Sequence, residues 1–534
     1  MTRAPTRHRE DRAGETFTPT ADAALTPRVS ARRRWLKRAI LILSLYVLAM
    51  FGGCWWWGAV AESRLQAKLA ACRAAGQPVR IEDFATPPVP DAENAAEFLT
   101  QAAAQMVSPP ASLPDLRDLL GDPTLFADHS DAIGRHIATN AAALALVRQA
   151  SALDRADWHT QLTSPLFCTT LMTPSGDERE IARLVELAAL YDHQAGNDNE
   201  AFACLHDLDR LVRHVNARPP HLITVLVGLA IDTLVCEALE RILPDLRVAD
   251  AQSSATPGAT AVARGAVEQF GQRLLDERDL CASWTRAFYG ERLMMLDLVE
   301  YAEGSQPVSA ASGTPPASVD ASVQLVVALL PGPLLKLDAA RSIDYCAAGI
   351  RAIEAADWPT AQRVLPPPIA PQSLVEQTAQ CVAGFVLPQL DRALQLLFAH
   401  RATRRLTATA VAIRLYELDH GHRPLGLEDL VPRYLPDVPR DLFDPQGGPI
   451  RYLPDHSPPL LYSVGLNGVD EGGAQGFKSD GRQDWRAKDL LFYLNGDRPP
   501  EPRRSSATSA PTSAPASSQT LIDDGHAERG DGDQ

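Results

Sequence analysis

The stretch AILILSLYVLAMFGGCWWWGAVA, residues 39–61, decides how the chain is organised. It carries no formal charge over 23 residues. A helix of that length would cross a hydrocarbon layer of about 30 Å. Three tryptophans at residues 55–57 lie near its end, where indole rings favour the membrane interface. The stretch therefore predicts a single transmembrane helix, and the membrane is the first expected partner.

Charged residues are distributed unequally around this stretch. Residues 1–38 contain ten Lys or Arg and four Asp or Glu, a net charge of +6, whereas the whole chain carries −15. Only Arg64 and Lys68 follow closely on the other side, so the positive-inside rule predicts a cytoplasmic N-terminus. We expect a protein of the bacterial cytoplasmic (inner) membrane with a basic cytoplasmic tail and a periplasmic body. Phosphate backbones would repel this acidic body, so no nucleic-acid partner is expected.

A second interpretation of the apolar stretch is a signal peptide that is cleaved. Ala59-Val60-Ala61 has the small-x-small form of a signal-peptidase site, although a long apolar run with three tryptophans is untypical of a signal peptide. We expect the helix to be retained as an anchor, and cleavage after residue 61 is left open. The other apolar runs, residues 222–231 and 321–335, are too short or are broken by proline, which favours buried core.

The body over residues 62–400 is expected to be an irregular helical domain. Hydrophobic residues make up 45% and charged residues 22% of the chain, which is ordinary globular composition. In residues 178–245, apolar stripes at helical spacing flank a turn at residues 196–198 and predict an antiparallel helical hairpin. The helix that follows, 222–243, is apolar on most sides and should be central to the core. A low-complexity tail, 499–534, is expected to be disordered.

Few residues of the helical part suggest chemistry. His193, His206-Asp207 and Asp232 follow the order of ligands in metal-dependent HD phosphohydrolases, but His206, Asp207, Asp209 and Arg210 also fit a solvated helix face. The chain has no P-loop, dinucleotide-binding, zinc-protease or nucleophile-elbow motif, and its eight cysteines lack zinc spacing. We therefore expect no enzyme and no catalytic residue, with a metal-dependent hydrolase as an alternative.

Residues 401–498 have a different pattern from the rest of the body. A helix that ends before Gly421 and Pro424 is followed by a short helix and a turn rich in Pro, Asp and Gly. Alternating apolar runs then predict three strands. These runs are PIRYLP (449–454), PLLYSVG (459–465) and DLLFYL (489–494).

Short motifs occur in a fixed order within this region. They are L-Y-x-L-D-x-G-x-x-P at 415–424, P-x-D at 439–441, D-P-x-G at 444–447 and Y-S-x-G-x-N-G at 462–468. In this order the region resembles the globular C-terminal domain of the type II secretion major pseudopilin. The resemblance implies a small α+β module over residues 401–498. A pseudopilin carries its apolar helix directly before this domain, whereas here the anchor lies more than 340 residues upstream.

The whole layout is also similar to a family of large, uncharacterised bacterial single-pass membrane proteins. The corresponding motifs are PVPD at 88–91, NAA at 94–96, and Glu291-Arg292 with Asp297. This resemblance implies no known reaction. The expected fold class is mainly α, with a single transmembrane helix, an irregular helical domain and the small pseudopilin-like α+β module.

The pseudopilin resemblance also implies a cofactor. Major pseudopilins bind calcium in the loop after Y-S-x-G, so a calcium site at this loop is possible in this chain, although an insertion at 474–488 changes the spacing. The alternative is that these side chains form turns by hydrogen bonding to the main chain. The matching residues are Ser463, Asn467 and Asp470, and Asp480, Asp484 or Asp489 could complete an oxygen cage.

These features lead to a ranked expectation for function. The first is a membrane-anchored, exported interaction or scaffold protein with protein partners. The second is an accessory component of a type II secretion or pilus-like envelope machine, and the third is the metal-dependent hydrolase. The sequence names no ligand, partner or pathway.

Overall fold

The computed structural model is mainly helical, which confirms the expected class. The chain forms two units, Met1–Glu62 and Ser63–Gln534. The expected disordered tail and the first 28 residues of the basic tail lie outside the described residues. The structure describes residues 29–84, 87–160, 162, 164, 166, 176–218, 220–249, 260–304, 332–366, 383–478 and 483–498.

Helix α1, Val29–Ala74, contains the apolar stretch. It begins ten residues earlier than that stretch because the basic residues before it are good helix formers and no proline interrupts them. Most large apolar side chains of the apolar stretch are exposed, among them Leu43 at 62% and Trp55 at 76%. The helix ends where Gly76 takes a φ of 66°, a conformation that glycine adopts without strain.

The first part of the body consists of short helices around a capped start. Asn94 is fully buried and caps α2, because its side-chain oxygen accepts a hydrogen bond from the main-chain N–H of Ala96. The helices of this part are α2 (Ala95–Gln105), α3 (Leu116–Gly121), α4 (Pro123–Asp128), α5 (Ser130–Thr139) and α6 (Ala141–Ser151).

The expected helical hairpin is present as α7, Asp177–Gln194, and α8, Asp198–Asn216. Helix α9, Leu222–Ile242, packs against both and contributes to the main core, as its apolar composition predicts. Two short parallel strands, β1 (Val248–Ala249) and β2 (Val262–Ala263), follow it.

Four further helices complete this part of the body. Three residues of α1 beyond the apolar stretch, Leu65, Leu69 and Cys72, pack with α11 and α12 in a second apolar cluster. The four helices are α10 (Arg264–Leu275), α11 (Arg278–Gly304), α12 (Gly332–Ile353) and α13 (Trp358–Val364).

The C-terminal region is built on α14, Ala383–His420, and a three-stranded antiparallel sheet. The three strands fall within the runs expected from the sequence: β3 (Arg451–Leu453), β4 (Leu460–Ser463) and β5 (Leu490–Tyr493), in the order β3-β4-β5.

One face of this sheet belongs to the main core, while Leu460, Tyr462, Leu491 and Tyr493 form a small apolar cluster of their own. Leu461 of β4 and Phe492 of β5 are paired across the sheet and belong to the same core as α9 and α14. The expected domain boundary between residues 400 and 401 lies inside α14. The helical part and the sheet therefore share one hydrophobic core in the described residues.

Candidate functional site

The loop between β4 and β5, where calcium is expected, is shaped by glycine. Gly465 has a φ of 69°, and a Cβ at this position would lie 2.3 Å from the main-chain oxygen of Lys488 and 2.6 Å from that of Trp485. Only glycine fits this approach. The start of the loop is thereby held against residues 485–488.

Ser463 lies at the end of β4 and is fully buried. Its hydroxyl donates to Asp441 Oδ1 at 2.6 Å, and the next main-chain N–H, of Val464, donates to Asp441 Oδ2 at 3.0 Å. Arg451 Nη1 donates to the same Asp441 carboxylate at 2.6 Å. The Ser463 hydroxyl is therefore engaged with a carboxylate that the expected ligand set did not include.

Arg451 joins three carboxylates into one network. Besides Asp441, its Nη2 donates to Asp444 at 2.7 Å and its Nε to Asp470 at 3.2 Å. Burial alone would raise the pKa of Asp470. The N–H of Gly472, the Tyr462 hydroxyl and the Arg451 charge lower this pKa below its usual value instead. The positive charge needed beside Asp470 is thus supplied by the protein.

Asn467 forms the turn that the alternative interpretation predicts. Its Oδ1 accepts the N–H of Val469 at 3.1 Å, and its Nδ2 donates to Glu471 Oε1 at 2.8 Å and to the Ala487 oxygen at 3.1 Å. Its carbonyl oxygen is therefore used inside the loop.

Asp489, the first residue before β5, is fully buried beside Glu471. Its Oδ2 accepts the N–H groups of Gly473 at 2.8 Å and Ala474 at 3.1 Å. The pKa of Asp489 is raised to about 6, mainly by burial. The main-chain hydrogen bonds lower this pKa, and the neighbouring Glu471 carboxyl raises it further. Glu471 Oε2 is buried and has no hydrogen-bond partner among the described residues, while Lys488 Nζ lies 3.8 Å from Oε1.

The expected calcium ligands do not converge as a set. Asp484 forms a turn with its main chain, accepting the N–H of Lys488 at 3.0 Å, and Asp480 lies outside the described residues. Within the part of the chain that is described, no group of three or more His, Cys, Asp or Glu is arranged to hold a metal. Two acids that do meet in this loop are Asp489 and Glu471, and the motif comparison did not select Glu471.

The residues that follow the ligand order of HD phosphohydrolases do not form a site either, because each has other partners. His193 Nδ1 lies 2.6 Å from Asp198 Oδ1, and Asp207 accepts from Ser151 Oγ at 2.6 Å and from Arg148. His206 is exposed at a groove between α8 and α10.

Asp232, the last of that series, lies in the core between α9 and α14. Its Oδ2 is 2.8 Å from His400 Nε2 and 2.5 Å from Arg404 Nη1. Burial would raise the pKa of Asp232, but the Arg404 and His400 charges and hydrogen bonds lower it well below its usual range. The carboxylate is therefore ionised and neutralised inside the core.

The Glu291-Arg292 and Asp297 motif ties α11 to three other segments. Glu291 accepts the main-chain N–H of Leu222 at 2.8 Å, and Arg292 Nη1 donates to Gln77 Oε1 at 2.7 Å. Asp297 accepts the N–H of Leu166 at 2.7 Å. These residues are buried, and they hold α11 against the start of α9 and against the chain at Gln77 and Leu166.

Comparison of the chain with family models, with curated proteins and with solved structures finds no match in any of the three.

Proposed function

We propose that the protein is a membrane-anchored, exported interaction or scaffold protein. One observation carries the proposal. Two helices in the described residues are long and apolar enough to cross a membrane, and the apolar window of Arg33–Ala74 is 0% buried. The corresponding window of Leu222–Asp245 is 61% buried within the body. A lipid layer is the environment that would cover the first helix.

The proposed orientation follows from charge. The basic residues just before the apolar stretch, such as Arg34 and Arg38, would remain in the cytoplasm. The body after Glu62 would then lie in the periplasm. A single pass through the inner membrane accounts for the exposed apolar helix and for the buried one.

The remaining exposed apolar side chains support a role in protein interaction. Beyond α1, the C-terminal region of the described chain exposes Leu425 at 89%, Val469 at 54%, Leu418 at 40% and Phe477 at 38%. His193, Asp207 and Asp232 are each bound to other residues of the protein. Their contacts therefore give no support to a metal-dependent hydrolase. These observations favour binding of a protein partner through the C-terminal region.

The proposal is tested by cross-linking whole cells and isolating the full-length chain with its partners. A matched Leu425→Ser/Val469→Ser variant should lose specific cross-linked partners while keeping its membrane location. Its control is Ile223→Ser, which alters an exposed side chain of the helical part. Identical partner sets for the two variants and the unaltered protein would contradict the role of the C-terminal region.

A second candidate is an accessory component of a type II secretion or pilus-like envelope machine. The order of a 38-residue helix, α14, followed by an antiparallel three-stranded sheet supports it, together with the motif resemblance. Recovery of secretion-machine proteins in the same cross-linking experiment would favour this candidate over a scaffold of another pathway.

We also propose that Asp489 and Glu471 bind calcium. Two neighbouring carboxyl groups repel each other unless a proton or cation lies between them, and carboxylate oxygens suit Ca²⁺. Calcium should then raise the melting temperature of the full chain in detergent relative to chelator, by mass action. The rise should disappear in Glu471→Gln and persist in Asp455→Asn. An unchanged melting temperature would leave the loop residues as turn formers.

A further inference from the structure

Two histidines stand close together at the end of α14. His420 is the last residue of the helix, and Gly421, with a φ of 74°, turns the chain so that His422 approaches the same side. Both imidazoles are exposed, and their ring centroids lie 6.2 Å apart. Both rings therefore face solvent, and they are close enough for one ion to contact both.

The hydrogen bonds of these histidines fix which ring nitrogen carries the proton. His420 Nδ1 lies 2.9 Å from the main-chain oxygen of Tyr416, and His422 Nδ1 lies 2.9 Å from that of Arg423. A carbonyl oxygen can only accept, so each Nδ1 must be the donor. Each Nε2 then carries a lone pair, and neither makes a hydrogen bond to another described residue. Histidines that bind metals commonly donate their other N–H to a carbonyl in this way.

The orientation of the first ring is fixed by stacking. The Tyr416 ring lies over His420 with centroids 4.0 Å apart and an interplanar angle of 17°. Stacking covers the face of the imidazole and leaves its edge, where Nε2 lies, open to solvent. The lone pair is therefore held in position before any ligand arrives.

We propose that His420 and His422 form a two-histidine site for a borderline divalent metal such as Zn²⁺, Ni²⁺ or Cu²⁺. Two imidazoles bound to one Zn²⁺ at roughly 2.0–2.1 Å have ring centroids about 5–6 Å apart, close to the observed separation. Imidazole nitrogen selects these metals over Mg²⁺ and Ca²⁺, which prefer oxygen.

The remaining coordination positions belong to water. The nearest acid in sequence, Asp419, is engaged by Arg264, Arg433 and the Tyr434 hydroxyl. This engagement agrees with the absence, in the described ranges, of any group of three or more His, Cys, Asp or Glu suited to a metal. The site is thus an open one, held by two protein ligands.

The test is isothermal titration of the metal-free full chain in detergent micelles with ZnCl₂ and NiCl₂. His420→Gln and His422→Gln should each weaken binding by at least the roughly 10–100-fold that loss of an outer partner costs. His456→Gln is the matched control, because His456 is exposed and its Nδ1 also lies near a carbonyl oxygen, that of Pro458, at 2.7 Å. It should bind like the unaltered chain, and excess Mg²⁺ should not compete.

A second readout keeps the test independent of binding heats. Because the metal would join the end of α14 to the turn after it, Ni²⁺ should raise the melting temperature of the unaltered chain and of His456→Gln. Without metal, His420→Gln and His422→Gln should have the melting temperature of the unaltered chain. With Ni²⁺, their melting temperatures should not rise. Equal binding and an equal rise in all four proteins would overturn the proposal, as would an equal loss in His456→Gln.

Discussion

The two most apolar helices of this protein, α1 and α9, have opposite surroundings. In the apolar window of α1 no part is buried, whereas 61% of the window of α9 is buried by other helices. The difference lies in their charged residues. Between Arg38 and Glu62 α1 has none, while α9 carries Asp232, whose carboxylate is neutralised by two residues of α14. Hydropathy alone does not distinguish these two helices, but their burial and their charged residues do.

The largest effect is expected from substitutions in α1. Leu45→Arg/Leu48→Arg places two charges in the middle of the apolar stretch, at side chains that are 58% and 69% exposed. Each arginine at the centre of a membrane helix costs about 2.5–3.5 kcal/mol, so the pair should abolish insertion. The fraction of protein that resists carbonate extraction measures it. A variant that stays in the membrane fraction would contradict the anchor.

A second variant tests the paired charge of α9. Asp232→Asn leaves Arg404 and His400 buried without their carboxylate, which should cost about 3–5 kcal/mol in the free energy of unfolding. Thermal melting in detergent measures the loss, and membrane extraction should be unchanged. Asp276→Asn is the control, because its partner Arg278 is 88% exposed and the pair lies at the surface.

The smallest expected effect concerns how α9 begins. Glu291 accepts the first main-chain N–H of α9, from Leu222, and burial raises the pKa of Glu291 to about 7 from 4.5. The folded protein therefore binds this proton more firmly than the unfolded chain, and the stability contribution is lost as pH rises through about 7.

In the unaltered chain the free energy of unfolding should fall as pH rises from about 4.5 to 7, and Glu291→Gln should reduce this fall. The expected difference is roughly 1–3 kcal/mol, measured by denaturant unfolding at several pH values. The control is Glu268→Gln, whose carboxylate is paired with Arg264 and half-exposed. A pH profile that Glu291→Gln leaves unaltered would show that this buried carboxyl does not titrate with folding.

Local features of the fold were accessible from the sequence. The extent of the apolar stretch, the α7–α8 hairpin and the three C-terminal strands follow from composition and periodicity, which neighbouring residues set. The end of α1 at Ala74 follows from the conformational freedom of the glycine two residues later, Gly76. These features depend on residues that lie next to one another in the chain.

The sites depend on contacts between distant residues. Asp232 meets His400 and Arg404 across sequence separations of 168 and 172 residues, and no periodicity encodes such a pairing. In the C-terminal loop, the order of motifs selected Ser463 and Asp470 but did not show that Asp441 and Arg451 engage them. Residue 400, where the sequence pattern changes, lies inside α14, because the change reflects the strands that follow and not a break in the helix.

Two alkaline phosphatase fusions to the chain, one after residue 80 and one after residue 498, distinguish a single pass through the membrane from two. The reporter is active only outside the cytoplasm. A single pass through α1, with α9 buried in the body, predicts activity in both fusions. Activity after residue 80 but not after residue 498 would show that α9 also crosses the membrane, and inactivity in both would show that the body stays in the cytoplasm.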